Sequence, residues 1–156
     1  IAMAAGTWYF SLLPSAAEAR AHAAYVAGDA GAEDLYRTAT IARPGPARED
    51  LAVLLANEGK DESALVYAQA ATGTADGGSL HYLLGHLLEK TRRPGAAHEY
   101  RACLLRWPDH FPAYRGVLRN TGPEERDQLL NEARRWLSPE DFAALTSELP
   151  AGPARR

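Results

Sequence analysis

The sequence is poor in several features that define common protein classes. Its 156 residues include one cysteine, Cys103, so no disulfide can form within the chain. Neither sign of charge dominates, since 17 lysines and arginines stand against 20 aspartates and glutamates, for a net charge of -3. A general nucleic-acid-binding protein is usually basic, and this balance argues against that class. No apolar run reaches the ~20 residues that a transmembrane helix needs.

Alanine, by contrast, is abundant. The chain has 31 alanines, about a fifth of its residues. Alanine has the highest helix propensity of all residues, and its small side chain lets helices approach closely. Hydrophobic residues make up 46% and charged residues 24%, which is typical of a folded domain and not of a disordered tail. The composition therefore predicts an all-α protein.

Small residues and helix breakers recur with a period of 32. Such a period indicates a repeat architecture. Four columns keep this register over three units: Ala32, Ala64 and Ala96; Tyr36, Ala68 and Tyr100; Ala39, Ala71 and Cys103; Pro44, Asp76 and Pro108.

Capping and turn residues divide each unit into two helices. Ser15 with Glu18 forms a capping-box pattern, and Ser138 with Asp141 is a similar helix start. Ser79 is predicted to cap another helix, and Gly28 and Gly59 to turn the chain. The helices are expected at about 15–27, 32–42, 46–58, 61–72, 79–90, 94–106, 112–120, 123–137 and 138–149.

Three units carry a similar arrangement of large and small residues. The third unit has Leu80-x-x-Leu83-Leu84-Gly85-x-x-Leu88 in its first helix and Ala96-x-x-x-Tyr100-x-x-Cys103, followed by Pro108, in its second. The second unit has Leu51-Ala52-x-x-Leu55, Gly59 and Ala64-x-x-x-Ala68-x-x-Ala71, and the first has Gly28, Ala32-x-x-x-Tyr36-x-x-Ala39 and Pro44. In this the chain resembles the tetratricopeptide repeat (TPR) family. The resemblance implies a right-handed superhelical stack of antiparallel helix hairpins, a TPR-like solenoid of about three and a half repeats. Two departures are the period, 32 where the family usually has 34, and the loss of an early aromatic residue at Arg48 or His81.

On this basis residues 15–149 form one helical repeat domain. Its units are about 15–45, 46–77, 78–109 and 110–137, followed by a capping helix at 138–149. The apolar segment 1–14 is expected to be a capping helix or the end of an upstream membrane anchor, since aromatic residues favour the membrane interface. Residues 150–156 are expected to be a flexible tail.

The resemblance also implies a concave groove lined by the first helix of each pair, which binds an extended peptide or a partner helix. By register, the side chains placed there, besides Glu18 and Val53, are His22, Tyr25, Glu49, Asn57, Tyr82, His86, Lys90, Arg115 and Arg119. Residues 76–120 carry seven basic and four acidic residues, whereas residues 1–75 carry five and nine. The groove is thus expected to run from acidic to basic.

Two interpretations of the basic end remain open. In the first, Arg115, Arg119 and Lys90 hold an acidic segment or a C-terminal carboxylate, and Tyr82 is an apolar anchor. In the second, the arginines form a solvated face and the aromatic residues are inter-helix core. Asn57 and Arg115 match only part of the Lys/Asn/Arg set with which some family members clamp chaperone tails, so that activity is not assigned.

The predicted function is therefore non-enzymatic protein–protein interaction, with no catalytic residues, no cofactor, no metal and no nucleic-acid partner. His81 and His86 are five residues apart on one helix, which does not suit a shared metal ion. Cys103 is expected to be a buried structural thiol. The alternative is a self-assembling or membrane-tethered scaffold that uses the terminal helices. The apolar stripe of Leu129, Leu130, Ala133, Trp136 and Leu137 is expected to be core or cap rather than a dimer face. The partner is a protein or peptide, with an acidic one favoured, and a homo-oligomer stays open. A cytoplasmic location is favoured, and a membrane-anchored or periplasmic one follows if an upstream anchor exists.

Overall fold

The computed structural model describes residues 15–42, 44–72 and 77–148. All regular structure in these residues is α-helical, and they contain no strand. The all-α prediction is confirmed. The expectations for residues 1–14 and 150–156 lie outside the described residues. No helix within the described ranges combines the length and the apolarity needed to cross a membrane.

The chain divides into two compact units, Ile1–Ala75 and Asp76–Arg156. The first unit contains α1 (Ala16–Val26), α2 (Ala32–Ala42), α3 (Pro44–Asn57) and α4 (Asp61–Ala71). In this unit α1 packs on α2, α2 on α3, and α3 on α4. Gly28 and Gly59 have φ angles of 70° and 75°, which favour glycine, so both tight turns lie where the sequence placed them.

The second unit contains α5 (Gly78–Lys90), α6 (Ala96–Arg106), α7 (Phe111–Arg119), α8 (Pro123–Trp136) and α9 (Pro139–Ser147). Helix α6 packs between α5 and α7, while α7 also contacts α5, α8 and α9. The start of α6 lies near the end of α5, since a Cβ on Gly95 would be 3.7 Å from Leu88. The end of α6 lies near the start of α5, where Trp107 packs on Gly78. Helices α5 and α6 are therefore antiparallel.

Three of the four columns of the 32-residue period lie in the core. All nine residues of these columns are buried, each with at most 3% of its surface exposed: Ala32, Ala64, Ala96, Tyr36, Ala68, Tyr100, Ala39, Ala71 and Cys103. Buried leucines surround them in both units, as hydrophobic packing of short helices requires. The periodicity thus identified the buried face of the second helix in each hairpin.

Several helix starts differ from the sequence prediction. Ser79 is not a cap, because α5 begins one residue earlier, at Gly78, with Gly77 as its N-cap. Helix α6 begins at Ala96 and not at Pro94, since Gly95 adopts a left-handed conformation with a φ of 102°. Helix α3 begins at Pro44, because a helix's first turn tolerates residues without an N–H donor. By contrast, Ser15 and Ser138 cap α1 and α9 as predicted.

Candidate functional site

In the first unit, three of the six predicted groove residues are joined by side-chain contacts on α1 and α3. The amide Nδ2 of Asn57 donates a hydrogen bond to the hydroxyl of Tyr25 over 2.9 Å. The His22 ring lies 6.5 Å from the Tyr25 ring, and its Nδ1 is 3.4 Å from the hydroxyl of buried Tyr36. Of the other three, Glu18 is buried on α1, whereas Glu49 is half-buried and Val53 is exposed on α3. Polar side chains of α1 and α3 are thus in contact.

This face of the first unit is acidic. Crowding around the Asp50 carboxyl, together with the negative charges of Glu49 and Glu18, raises the pKa of Asp50. His22 opposes this rise. Burial, helped by the charge of Asp50, raises the pKa of Tyr36 to about 12. The face therefore suits cationic or hydrogen-bonding groups better than anionic ones.

In the second unit, the predicted residues Tyr82 and His86 belong to a continuous strip of rings. The Tyr82 and His86 rings stack with centroids 6.4 Å apart. The Tyr82 ring also meets the edge of the His110 ring at 4.8 Å, and the His110 ring lies 5.7 Å from the ring of Trp107. We call Trp107, His110, Tyr82 and His86 the aromatic strip. His86 and Trp107 are exposed, whereas Tyr82 and His110 are half-buried.

Tyr100 is the buried base of the aromatic strip. Its ring lies 5.8 Å from that of Tyr82, and its hydroxyl donates a hydrogen bond to Glu89 Oε2 over 2.8 Å. The ring fits against two glycine positions, Gly85 on α5 and Gly116 on α7, where any Cβ would collide with it. The glycines on α5 and α7 thus leave room for the large Tyr100 ring of α6.

His110 fixes the start of α7. Its Nδ1 accepts a hydrogen bond from the backbone N–H of Ala113 over 3.2 Å, which is the geometry of an N-cap. This bond requires an unprotonated Nδ1. Burial lowers the pKa of His110, and the charge of nearby Asp109 opposes that change. The ring at the centre of the strip is therefore neutral at pH 7.

Arg115 and Arg119 lie one turn apart on α7, and we call them the arginine pair. Arg115 Nε donates to Glu148 Oε2 over 2.8 Å, and its guanidinium lies 5.7 Å from the Phe111 ring centre. Arg119 is exposed, and no described residue forms a hydrogen bond or an ion pair with it. Lys90, the third predicted cation, is exposed at the end of α5. The structure thus places the five predicted residues of this unit on α5 and α7.

The sequence analysis missed His110, Trp107 and Glu148 as parts of this surface. For Trp107 the sequence signal was indirect, namely the small residue Gly78, which leaves room for its ring. For His110 there was no signal, because no motif marks a histidine that caps a helix. Glu148 is 33 residues from Arg115, and no periodic pattern connects them.

Elsewhere in the second unit, two open depressions flank α8. One of about 350 Å³ is lined by Arg101, Glu125, Gln128, Leu129 and Glu132. Another of about 650 Å³ is lined by Gln128, Asn131, Glu132, Arg135 and Trp136. Of the predicted apolar stripe on α8, Leu129, Ala133 and Leu137 are buried, whereas Trp136 is 54% exposed. Most of the stripe is therefore core.

Cys103 is fully buried, as predicted, and burial raises the pKa of its thiol to about 11. Such a thiol is inert at neutral pH. Within the described residues, no three side chains of the types that ligate metals come together.

Comparison with known proteins gives no assignment for this chain. No model of a known protein family matches it, and a search of curated proteins finds no match.

Proposed function

We propose that the protein is a non-enzymatic interaction module that binds a peptide or a partner helix, and that its hairpins form a TPR-like right-handed stack. The nine buried residues of the 32-residue columns support the repeat architecture. The observation that carries the binding proposal is that one unit contains both the aromatic strip, along α5 and the turn before α7, and the arginine pair on α7.

The two groups supply complementary parts of a peptide site. Exposed rings such as Trp107 and His86 offer apolar contact area with few rotatable bonds, which is typical of residues that dominate interfaces. Arginine forms two parallel hydrogen bonds with a carboxylate, so the arginine pair favours an acidic partner. Within the aromatic strip, Tyr82 acts as the apolar anchor, because its half-buried ring is held by three neighbouring rings.

Affinity capture from a lysate of the source organism, followed by mass spectrometry, tests this proposal. The wild-type protein is compared with the double variant Arg115→Glu/Arg119→Glu. A matched control, Arg134→Glu/Arg135→Glu, makes the same charge change on α8 of the same unit. Circular dichroism and urea unfolding show that each variant is folded.

We expect the wild type and the α8 variant to capture the same partner and the α7 variant to lose it. If the folded α7 variant keeps the partner, the proposed site is wrong. If only the α8 variant loses it, the partner binds at the α8 surface.

Exposed Trp136 supports a second candidate function, a scaffold that self-assembles through its terminal helices. An exposed tryptophan in an open depression is a common feature of interfaces. In this case sedimentation equilibrium gives a mass above that of one chain, and Trp136→Ser lowers it. A monomeric wild type contradicts the scaffold.

A further inference from the structure

Arg115 already holds a carboxylate that belongs to the chain itself. Its contact with Glu148 is a charge-assisted hydrogen bond of 2.8 Å between α7 and the end of α9. Both side chains remain accessible, with 35% of Arg115 and 42% of Glu148 exposed. An exposed pair of this kind is weak and exchanges readily with other ions.

The position of Glu148 is unfavourable for its own helix. It is the C-cap residue of α9, where the partial negative charge of the helix end repels a carboxylate. The helix therefore gains nothing electrostatically from a glutamate here. The contact with Arg115 compensates for this repulsion. The second residue of the arginine pair, Arg119, has no carboxylate partner among the described residues.

Arg119 is the open half of the arginine pair. It follows Arg115 by four residues, so the two side chains lie on the same face of α7. The charge of Arg119 also opposes the rise in the pKa of Tyr100 that burial and the Glu89 hydrogen bond cause. The arginine pair is thus a site for two carboxylates of which one is filled from within the chain.

We propose that an acidic segment of a partner protein binds across Arg115 and Arg119, and that Glu148 occupies the Arg115 half until a carboxylate of the partner displaces it. This inference rests on the proposed function and adds the chemistry of the partner and an internal competitor. Charge complementarity favours this occupant, since residues 76–120 carry seven basic and four acidic residues. The Glu148 carboxylate is the chemical group to which the Arg115 guanidinium donates in this structure.

Fluorescence anisotropy with a labelled decapeptide of eight glutamates and two tyrosines tests the inference at low salt. A second peptide with glutamine in place of every glutamate measures binding that does not depend on charge. The proteins are the wild type, Glu148→Gln, Arg115→Gln, the double variant of both, and Arg119→Gln. Glu140→Gln is the matched control, because it removes the same charge from the exposed first turn of α9.

We expect Glu148→Gln to bind the glutamate peptide about 1.5- to 5-fold more tightly than the wild type, the range for loss of an exposed ion pair. Glu140→Gln should change the affinity less. In the Arg115→Gln background, Glu148→Gln should have no effect, because the competing contact is already absent.

Two results overturn the inference. If the wild type and Glu148→Gln bind the glutamate peptide no better than the glutamine peptide, the acidic partner is wrong. If Arg119→Gln weakens binding but Glu148→Gln leaves it unchanged, the internal competitor is wrong while peptide binding at this surface stands. Failure of the proposed function is a different result, namely a folded Arg115→Glu/Arg119→Glu variant that keeps every captured partner.

Discussion

Tyr100 fills a gap that exists only because two neighbouring positions lack side chains. A Cβ on Gly85 would lie 2.8 Å from its ring, and one on Gly116 would lie closer still. The ring has no room to retreat from one glycine without meeting the other. At this point the packing of α5, α6 and α7 would be disturbed by the addition of a single Cβ atom.

We therefore expect Gly116→Ala to destabilise the protein by about 1–3 kcal/mol, the usual cost of overpacking a core. The higher helix propensity of alanine offsets about 1 kcal/mol of this cost, so the measured loss should lie towards the lower end of the range. Urea unfolding measures the change. The double variant Gly116→Ala/Tyr100→Leu should cost less than the sum of the single changes, and strict additivity would contradict the proposed clash.

His110 should make stability depend on pH. Burial holds its pKa below the ordinary value of 6.5, so the unfolded chain binds a proton more readily than the folded one. The stabilising contribution is complete above about pH 6.5 and is lost as the pH falls towards the lower pKa of the folded state. Protonation would also break the cap at Ala113 and place a positive charge at a helix N-terminus.

Urea unfolding between pH 7.5 and pH 5 measures this effect. His110→Asn, which keeps a capping side chain but does not titrate, should flatten the fall in stability on acidification. His98→Asn on the exposed face of α6 is the control and should leave the fall unchanged. Identical pH profiles for all three proteins would exclude His110 as the source.

Among the helices, α4 shows most simply how the small-residue columns work. Ala64, Ala68 and Ala71 are all fully buried, one turn apart along the helix. These alanines allow α3 and α4 to pack closely.

Ala64→Leu should therefore overpack this contact and lower the free energy of unfolding by about 1–3 kcal/mol. Ala70→Leu makes the same change on the exposed side of α4 and should alter stability by less than about 0.5 kcal/mol. Thermal or urea unfolding of the two variants gives the comparison. Equal stability of both would be inconsistent with the packing register.

The helices were more predictable from the sequence than their first residues. Ser15 and Ser138 cap α1 and α9 as expected, because a serine followed by an acidic residue is a local signal. The starts of α5 and α6 depend on the backbone conformations of Gly77 and Gly95, which the neighbouring Ser79 and Pro94 obscured. Periodicity identified the core because burial repeats along the chain.

The candidate site was predictable only in part, because some of its contacts join distant segments. The register placed Tyr82, His86, Arg115 and Arg119 on α5 and α7. It did not show that the His110 ring continues the strip, nor that the Glu148 carboxylate reaches Arg115. Such pairs follow from tertiary packing, which no local pattern encodes.

For the molecule as a whole, net charge is a poor guide to its partner. The chain carries a charge of -3, yet the region that holds the arginine pair is basic. Electrostatic attraction over a surface decays within ~10 Å at 0.1 M salt, so the local charge decides which ligand binds.

Binding of the glutamate peptide should consequently weaken about two- to tenfold between 50 and 300 mM salt, since each exposed ion pair contributes about 0.2–1 kcal/mol. Anisotropy titrations at several salt concentrations measure the slope. Arg119→Gln should reduce that slope, and Arg134→Gln should not. A slope that is the same in all three proteins would place the anionic contact elsewhere.

The two glycines around Tyr100 also have a kinetic consequence. A phenol ring in an ordinary core rotates by 180° fast enough for its two sides to give averaged proton signals. Because one edge of this ring lies against Gly85 and the other against Gly116, its rotation requires α5 and α7 to separate briefly. Nuclear magnetic resonance should therefore detect slow flips of the Tyr100 ring, and the rate of these flips should report how often α5 and α7 separate.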